Sequence, residues 1–203
     1  MEIVSLEKAD VDNLVGILRN DGVIVVPTDT VYGLAANALS QKAVSKVLRI
    51  KGRKEGKPLP VFISSLEMLD KVAVARDEQT KEMFKKVWPG KATLILSARG
   101  WLPMEVRGNN GLTTGVRIPN YPWLRQLMDK FGGPITGTSA NVSGFPAHTK
   151  IKELIEEFNK LPFKPDIVVD AGALPESQPS AVIDCTVSPP QILRKGEILL
   201  NEL

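Results

Sequence analysis

The sequence predicts an α/β fold, a sheet with helices packed on it. Three observations carry that expectation. Short apolar runs of strand length, "VIVV", "ATLILSA" and "DIVVD" among them, alternate with stretches whose apolar residues recur at helical spacing. A length of 203 residues supports one domain with a sizeable core, spanning 1–203. A composition 43% hydrophobic and 24% charged is ordinary for a soluble globular protein.

Each element follows in turn. Val11, Leu14, Val15 and Leu18 share a helical face, and Gly22 stops that helix before a strand at 23–27. Ser40 is placed to cap a second helix whose Ala43, Val44, Val47 and Leu48 face the core. "PVFIS" (60–64) reads as a strand, followed by two helical stretches, "SLEMLDKVAVA" (65–75) and "DEQTKEMFKKVW" (77–88). "ATLILSA" (92–98) and "GVRIP" (115–119) are strands, and a helix spans 122–131 before "PITGTSA". "TKIKELIEEFNK" (149–160) is amphipathic, and "DIVVDAG", "AVIDCT" and "QILRKG" supply the last strands. The Pro-rich "ALPESQPS" (173–180) reads as a loop. Strand order does not follow from these patterns.

Several function classes fall away. A net charge of +3, from 26 basic and 23 acidic residues, does not by itself announce a nucleic-acid binder. No apolar run reaches the length of a membrane span and "MEIVSLEKAD" lacks the regions of a signal peptide, so a cytoplasmic protein is expected. One His and one Cys cannot build a usual zinc site or an internal disulfide. His148 lies in a loop-like stretch, and Cys185 in an apolar run that suits a small buried residue. There is no G-x-S-x-G, Walker loop or G-x-G-x-x-G. The chemistry falls to hydroxyls, amides and cations.

Four places concentrate those groups. "PTDTVYGL" (27–34) turns a buried strand abruptly polar, where ligands bind in open α/β sheets. "KVLRIKGRKEGKPLPV" (46–61) sets Lys46, Arg49, Lys51, Arg53, Lys54 and Lys57 against Glu55 alone. Cations at a helix C-terminus explain the first two. Lys51, Arg53 and Lys57, spaced through a glycine-bearing loop, suit closure on a polyphosphate. "GPITGTSANVSG" (133–144) delivers Thr136, Thr138, Ser139 and Asn141, either as a polar turn or as partners for sugar, phosphate or base edges. Arg117, Ser180 and Arg194 stand beside strands, Arg117 as a snorkelling edge residue or as a clamp on a carboxylate or phosphate.

Taken in order, "PTDTVYGL", "KGRKEGKPLPV", "WPGKATLIL", "GVRIP", "TSANVSG" and "SAVIDCT…ILRKGEI" resemble the YrdC-like threonylcarbamoyl-adenylate synthases from about residue 8 to 197. The resemblance implies a twisted mixed α/β sheet with a concave basic cleft. It implies that L-threonine, bicarbonate and ATP are joined into threonylcarbamoyl-adenylate, with release of pyrophosphate, toward the t6A base of tRNA. Transferase proteins that complete t6A would be its partners. By motif, Thr30, Tyr32, Arg117, Ser139 and Ser180 would line the threonine site, and Thr113, Asn141, Thr149 and Arg194 would touch ATP. Arg53 and Lys57 would hold the triphosphate, with Lys51 nearby as a third catalytic cation. Mg2+ would ride on the triphosphate, with Asp29 the one motif acid near it and no dedicated metal site.

Two departures stand out. Phe62 occupies a position where many two-domain relatives carry His, and Ser180-Ala181 replaces the common Ser-Thr. The ending after "RKGEILLNEL" resembles the small single-domain form. Two alternatives stay open: a module whose basic cleft holds double-stranded RNA or tRNA without chemistry, and a non-synthase paralogue of the same fold.

Overall fold

The strands of this mixed α/β fold divide into two mixed sheets, and the chain crosses between them at Gly137. The computed structural model describes residues 1–53, 57–108 and 110–197. Lys54, Glu55 and Gly56 of the basic stretch lie outside the described residues.

The elements run β1 (Glu2–Ser5), α1 (Val11–Arg19), β2 (Ile24–Val26), β3 (Gly33–Ala35), α2 (Gln41–Lys51), β4 (Val61–Phe62), β5 (Ala73–Val74), α3 (Glu78–Val87) and β6 (Ala92–Ala98). They continue β7 (Thr113–Arg117), α4 (Pro122–Phe131), β8 (Ile135–Thr136), β9 (Thr138–Ser139), α5 (Ile151–Asn159), β10 (Ile167–Asp170), β11 (Ala181–Asp184) and β12 (Gln191–Arg194). The first sheet has the order β1-β10-β2-β3-β9. The second runs β12-β11-β6-β7-β4-β8, with β5 paired to β6.

Side-chain chemistry sets the helix starts. The carboxylate of Asp10 accepts the Asp12 N–H at 2.9 Å, and the Ser40 hydroxyl accepts the Ala43 N–H at 3.2 Å. Asp77 does the same for Thr80 at 2.8 Å. Strand β2 is buried on both faces, which is why its sequence is continuously apolar rather than alternating. Ile24 and Val26 pack with Leu14, Leu18, Leu124 and Leu127 of α1 and α4. Val23 and Val25 face the other way, into the cluster built by α2, α3 and α5.

The expected helix at 65–75 forms only a single turn at Leu69–Lys71 and then strand β5, whose Ala73 opposes Ala98 of β6. Pairing with a neighbouring strand overrides the local helical pattern there. Strand β1 carries no alternation that would reveal it, because it lies at a sheet edge and is largely exposed. "PITGTSA" yields two strands: β8 pairs with β4 in one sheet, β9 with β3 in the other. Gly137 between them donates its N–H to Pro60 O at 2.7 Å and lies against the Phe62 ring, where a Cβ would come within 2.4 Å. Thr136 ties the sheets together, its hydroxyl donating to Leu34 O at 2.9 Å and accepting from Ala36 N at 3.1 Å.

Candidate active site

The split between sheets leaves a cavity of about 400 Å³, within the range of small-molecule sites. Its wall draws on β3 and β9 of the first sheet and on β4, β6, β7, β11 and β12 of the second. Thr30, Tyr32, Arg53, Arg117, Ser139, Ser180 and Arg194, widely separated in sequence, all line it. Among the described residues the wall carries three arginines and no carboxylate, so it favours an anionic occupant.

The polar turn after β2 is largely explained by its own bonding. The Thr28 hydroxyl donates to Val31 O at 2.7 Å and accepts the Thr30 N–H at 3.0 Å. With that proton spent, the 3.1 Å contact between the Thr28 and Thr30 hydroxyls has Thr30 as donor. Thr30 Oγ1 then accepts from Arg117 Nη1 at 3.3 Å. Tyr32 is fully buried, and its hydroxyl donates to Gly172 O at 2.8 Å while accepting the Ala171 N–H at 3.0 Å. That hydroxyl serves the end of β10. Burial, with the Asp170 carboxylate nearby, pushes its pKa up to about 12 against the opposing effect of the Ala171 N–H, so it stays a neutral donor.

Arg117 is buried, and β7 aims it at the turn. Its Nε donates to Gly90 O at 2.8 Å and its Nη2 to Asp29 Oδ1 at 2.7 Å. The other oxygen of Asp29 accepts the Asn120 N–H at 3.0 Å. Asp29, the acid expected near a metal, is thus committed to Arg117 and the backbone. A guanidinium has five N–H groups; three are used here, leaving one on each terminal nitrogen for a ligand. Phe62 backs the guanidinium, 5.7 Å from its carbon to the ring centre. Burial lowers the Arg117 pKa against the opposing pull of Asp29.

In the same sheet as β7, Arg194 Nε donates to Ser180 O at 3.0 Å and Nη2 to the Ser180 hydroxyl at 3.3 Å. That hydroxyl also meets Thr93 Oγ1 at 3.0 Å. Thr93 and Thr28 both line the cavity, and the motif reading names neither as a site residue. A threonine inside "ATLILSA" looks like ordinary strand composition; the usable signal is that it is buried and hydroxylated in an otherwise apolar strand.

The cations separate into different environments. Lys51 is not a loop residue. It closes α2, is buried, and its Nζ donates to Ser139 O at 2.5 Å, Asn141 O at 3.0 Å and Asn141 Oδ1 at 2.9 Å. Burial, reinforced by Arg53, brings its pKa down to about 7. It acts on the "TSAN" turn from behind. Arg53 lines the cavity, donates Nη2 to Pro58 O at 3.2 Å, and has a buried Nε with no partner among the described residues. Lys57 is exposed and stands off the cavity wall.

Three further residues also lie off this wall. Asn141 is buried, its Oδ1 taken by Lys51 and the Ser139 hydroxyl. Thr113 opens β7 and is half-buried; Thr149 is half-buried and uses its carbonyl to hold Leu174 N at 2.8 Å. Among the described residues no three His, Cys, Asp or Glu side chains cluster as a metal site, and no helix is long and apolar enough to cross a membrane. His148 pairs with Glu157 at 2.8 Å. Cys185 is buried, which pushes its thiol up to about 12 and leaves it unreactive.

Comparison with known proteins adds three findings. A family model described as telomere recombination, for the Sua5, YciO and YrdC proteins, matches residues 16–196. The chain is 36% identical over 189 residues to a threonylcarbamoyl-AMP synthase of Pyrococcus abyssi, covering 93% of this chain and 54% of that one. The crystal structure of P. abyssi Sua5 complexed with L-threonine superimposes with a TM-score of 0.90 at 33% identity, across 100% of this chain and 59% of the other. The chain therefore spans little more than half the length of these relatives.

Proposed function

The chain belongs to the Sua5, YciO and YrdC family, and from that premise we propose that it is a threonylcarbamoyl-AMP synthase. It joins L-threonine, bicarbonate and ATP into threonylcarbamoyl-adenylate and releases pyrophosphate and water, the water being lost as bicarbonate supplies CO2. The observation that carries this reading is the convergence of Arg53, Arg117 and Arg194 with Thr30, Ser139 and Ser180 on one wall that carries no carboxylate among the described residues. An amino acid's carboxylate and a nucleotide's phosphates are the anions such a wall suits.

In this reading the two remaining Arg117 N–H groups take the threonine carboxylate, with Thr30, Ser139 and Ser180 around the amino acid. The threonine amine captures CO2 as a carbamate, and a carbamate oxygen attacks the α-phosphorus. The bond from that phosphorus to the bridging oxygen breaks, and pyrophosphate leaves with the electron pair. Positioning and charge neutralisation suffice for such a step, with no nucleophilic side chain. Arg53, its Nε unpartnered among the described residues, neutralises the growing charge on the leaving group, assisted by Lys57. Asn141, Thr113, Thr149 and Arg194 complete the nucleotide side.

Mg2+ would arrive on the triphosphate and supply charge neutralisation there, since Asp29 is committed to Arg117. The product then feeds the proteins that transfer threonylcarbamoyl to tRNA. The test is pyrophosphate release with ATP while L-threonine and bicarbonate are each withheld. Release that requires both is the expected result; release indifferent to threonine overturns the reading.

A further inference from the structure

Residues 174–180, between β10 and β11, have no regular structure of their own, yet they deliver Ser180 to the cavity. Most of their anchoring comes from elsewhere. Glu197 Oε1 accepts the Gln178 N–H at 2.8 Å and, at 3.2 Å, shares the single proton of the Ser177 hydroxyl with Gln178 O at 3.0 Å. The other oxygen of Glu197 pairs with the Lys91 ammonium. Lys91 in turn accepts the Ala181 N–H on its carbonyl at 2.9 Å. Gly196, beside Glu197, presses on the same loop: a Cβ there would lie 2.4 Å from Ala181 N and 2.9 Å from Pro179 O. Arg194 adds its two bonds to Ser180.

The bonding therefore has a direction. The segment 194–197 leaves β12 and packs against 177–181, while Lys91, at the entrance to β6, bonds to both. Lys91 is also next to Gly90, whose carbonyl holds Arg117, and two residues from Thr93, which meets Ser180. One ion pair thus stands where three wall residues are anchored. An exposed ion pair by itself contributes little. A carboxylate that also accepts a backbone N–H and a hydroxyl makes charge-assisted bonds roughly twice as strong as neutral ones.

We propose that Glu197 and Lys91 are positioning residues, a latch that fixes the 177–181 loop so that Ser180 faces the bound amino acid. This rests on the synthase reading for what Ser180 touches, though not for the latch itself. Neither residue contacts substrate; both act through Ser180.

The experiment compares wild type, Glu197→Ala and Glu197→Gln in two measurements. The first is kinetic, with L-threonine varied at saturating ATP and bicarbonate. Glu197→Ala is expected to raise KM for threonine about five- to tenfold, with kcat within about twofold and little change in melting temperature. Glu197→Gln should recover part of that loss, because its amide oxygen still accepts the Gln178 N–H while its NH2 loses the pairing with Lys91. The second measurement is hydrogen exchange in the free protein. The Gln178 amide should exchange faster in Glu197→Ala than in Glu197→Gln, while the Ala181 amide, bonded to a backbone carbonyl, changes less. A threonine KM unchanged in the alanine variant, or one that follows a fallen melting temperature without rescue by glutamine, overturns the proposal. If wild type shows no threonine-dependent turnover, the synthase reading fails alone. The exchange rates then decide the latch, and equal Gln178 rates in wild type and Glu197→Ala overturn it.

Discussion

Arg117 and Asp29 face each other at 2.7 Å with almost nothing of either side chain exposed, 4% and 10% respectively. Two charges removed from water need good geometry to offset their desolvation, and breaking such a pair from one side leaves a buried ion without its partner. The pair therefore constrains the site and the fold at once. Asp29→Asn keeps the shape but cannot accept from both Arg117 and the Asn120 N–H, because one oxygen becomes an NH2. Urea denaturation should show a loss of about 3–5 kcal/mol, together with weaker threonine binding. An unchanged midpoint would show that Arg117 is held adequately by Gly90 and Thr30 alone.

Arg53 is the opposite case. Among the described residues its side chain makes one bond, to Pro58 O, and its buried Nε has no partner. Arg53→Ala should lower turnover roughly 10²-fold if the guanidinium meets the leaving pyrophosphate, while thermal stability barely moves. Lys57→Ala, removing an exposed cation, should act in the same direction. Near-normal turnover in both variants would remove the triphosphate assignment.

Helices and their caps were legible because their signals are local. Ser40, read as a cap, does cap α2 within three residues of itself, and Asp10 and Asp77, not singled out as caps, do the same for α1 and α3. The division into two sheets was not legible, because it depends on Gly137 accommodating Phe62, a contact between distant segments. Among site residues, Arg117, Ser180 and Arg194 stood out because they are polar beside apolar strands. Thr93 did not, since threonine is at home in a strand. Lys51 was misread as a loop cation because a lysine at a helix end is usually solvated. Its burial comes from the "TSAN" turn folding over it.

That burial makes Lys51 sensitive to pH. In the unfolded chain it titrates near the ordinary 10.5, and in the folded protein near 7. Below pH 7 both states hold the proton, and the folded state bears the full cost of burying an ammonium. Between about 7 and 10.5 the unfolded state stays protonated while the folded state does not, so stability rises with pH across that window. Lys51→Met has no proton to lose there. The unfolding free energy of wild type minus that of the variant should therefore climb from pH 7 toward pH 10. A difference flat with pH would mean that the three carbonyl oxygens around Nζ keep it charged.

The polar turn "PTDTVYG" now divides by task. Thr28 closes the turn on the backbone, Asp29 holds Arg117, and the Tyr32 hydroxyl braces the end of β10. Thr30 differs, because its oxygen points at the cavity-lining guanidinium and retains acceptor capacity beyond the 3.3 Å bond from Arg117. Thr30→Val preserves shape and removes that oxygen, leaving a threonine ligand's polar group and an Arg117 N–H without it. Leaving buried polar groups unpaired costs about 1–3 kcal/mol, or about five- to 150-fold in threonine affinity. Titrating L-threonine and then ATP into wild type and Thr30→Val at matched pH separates the possibilities. Loss confined to threonine places Thr30 in the amino-acid site. Equal threonine affinity in the two proteins would reduce Thr30, like Thr28, to a residue that shapes the turn.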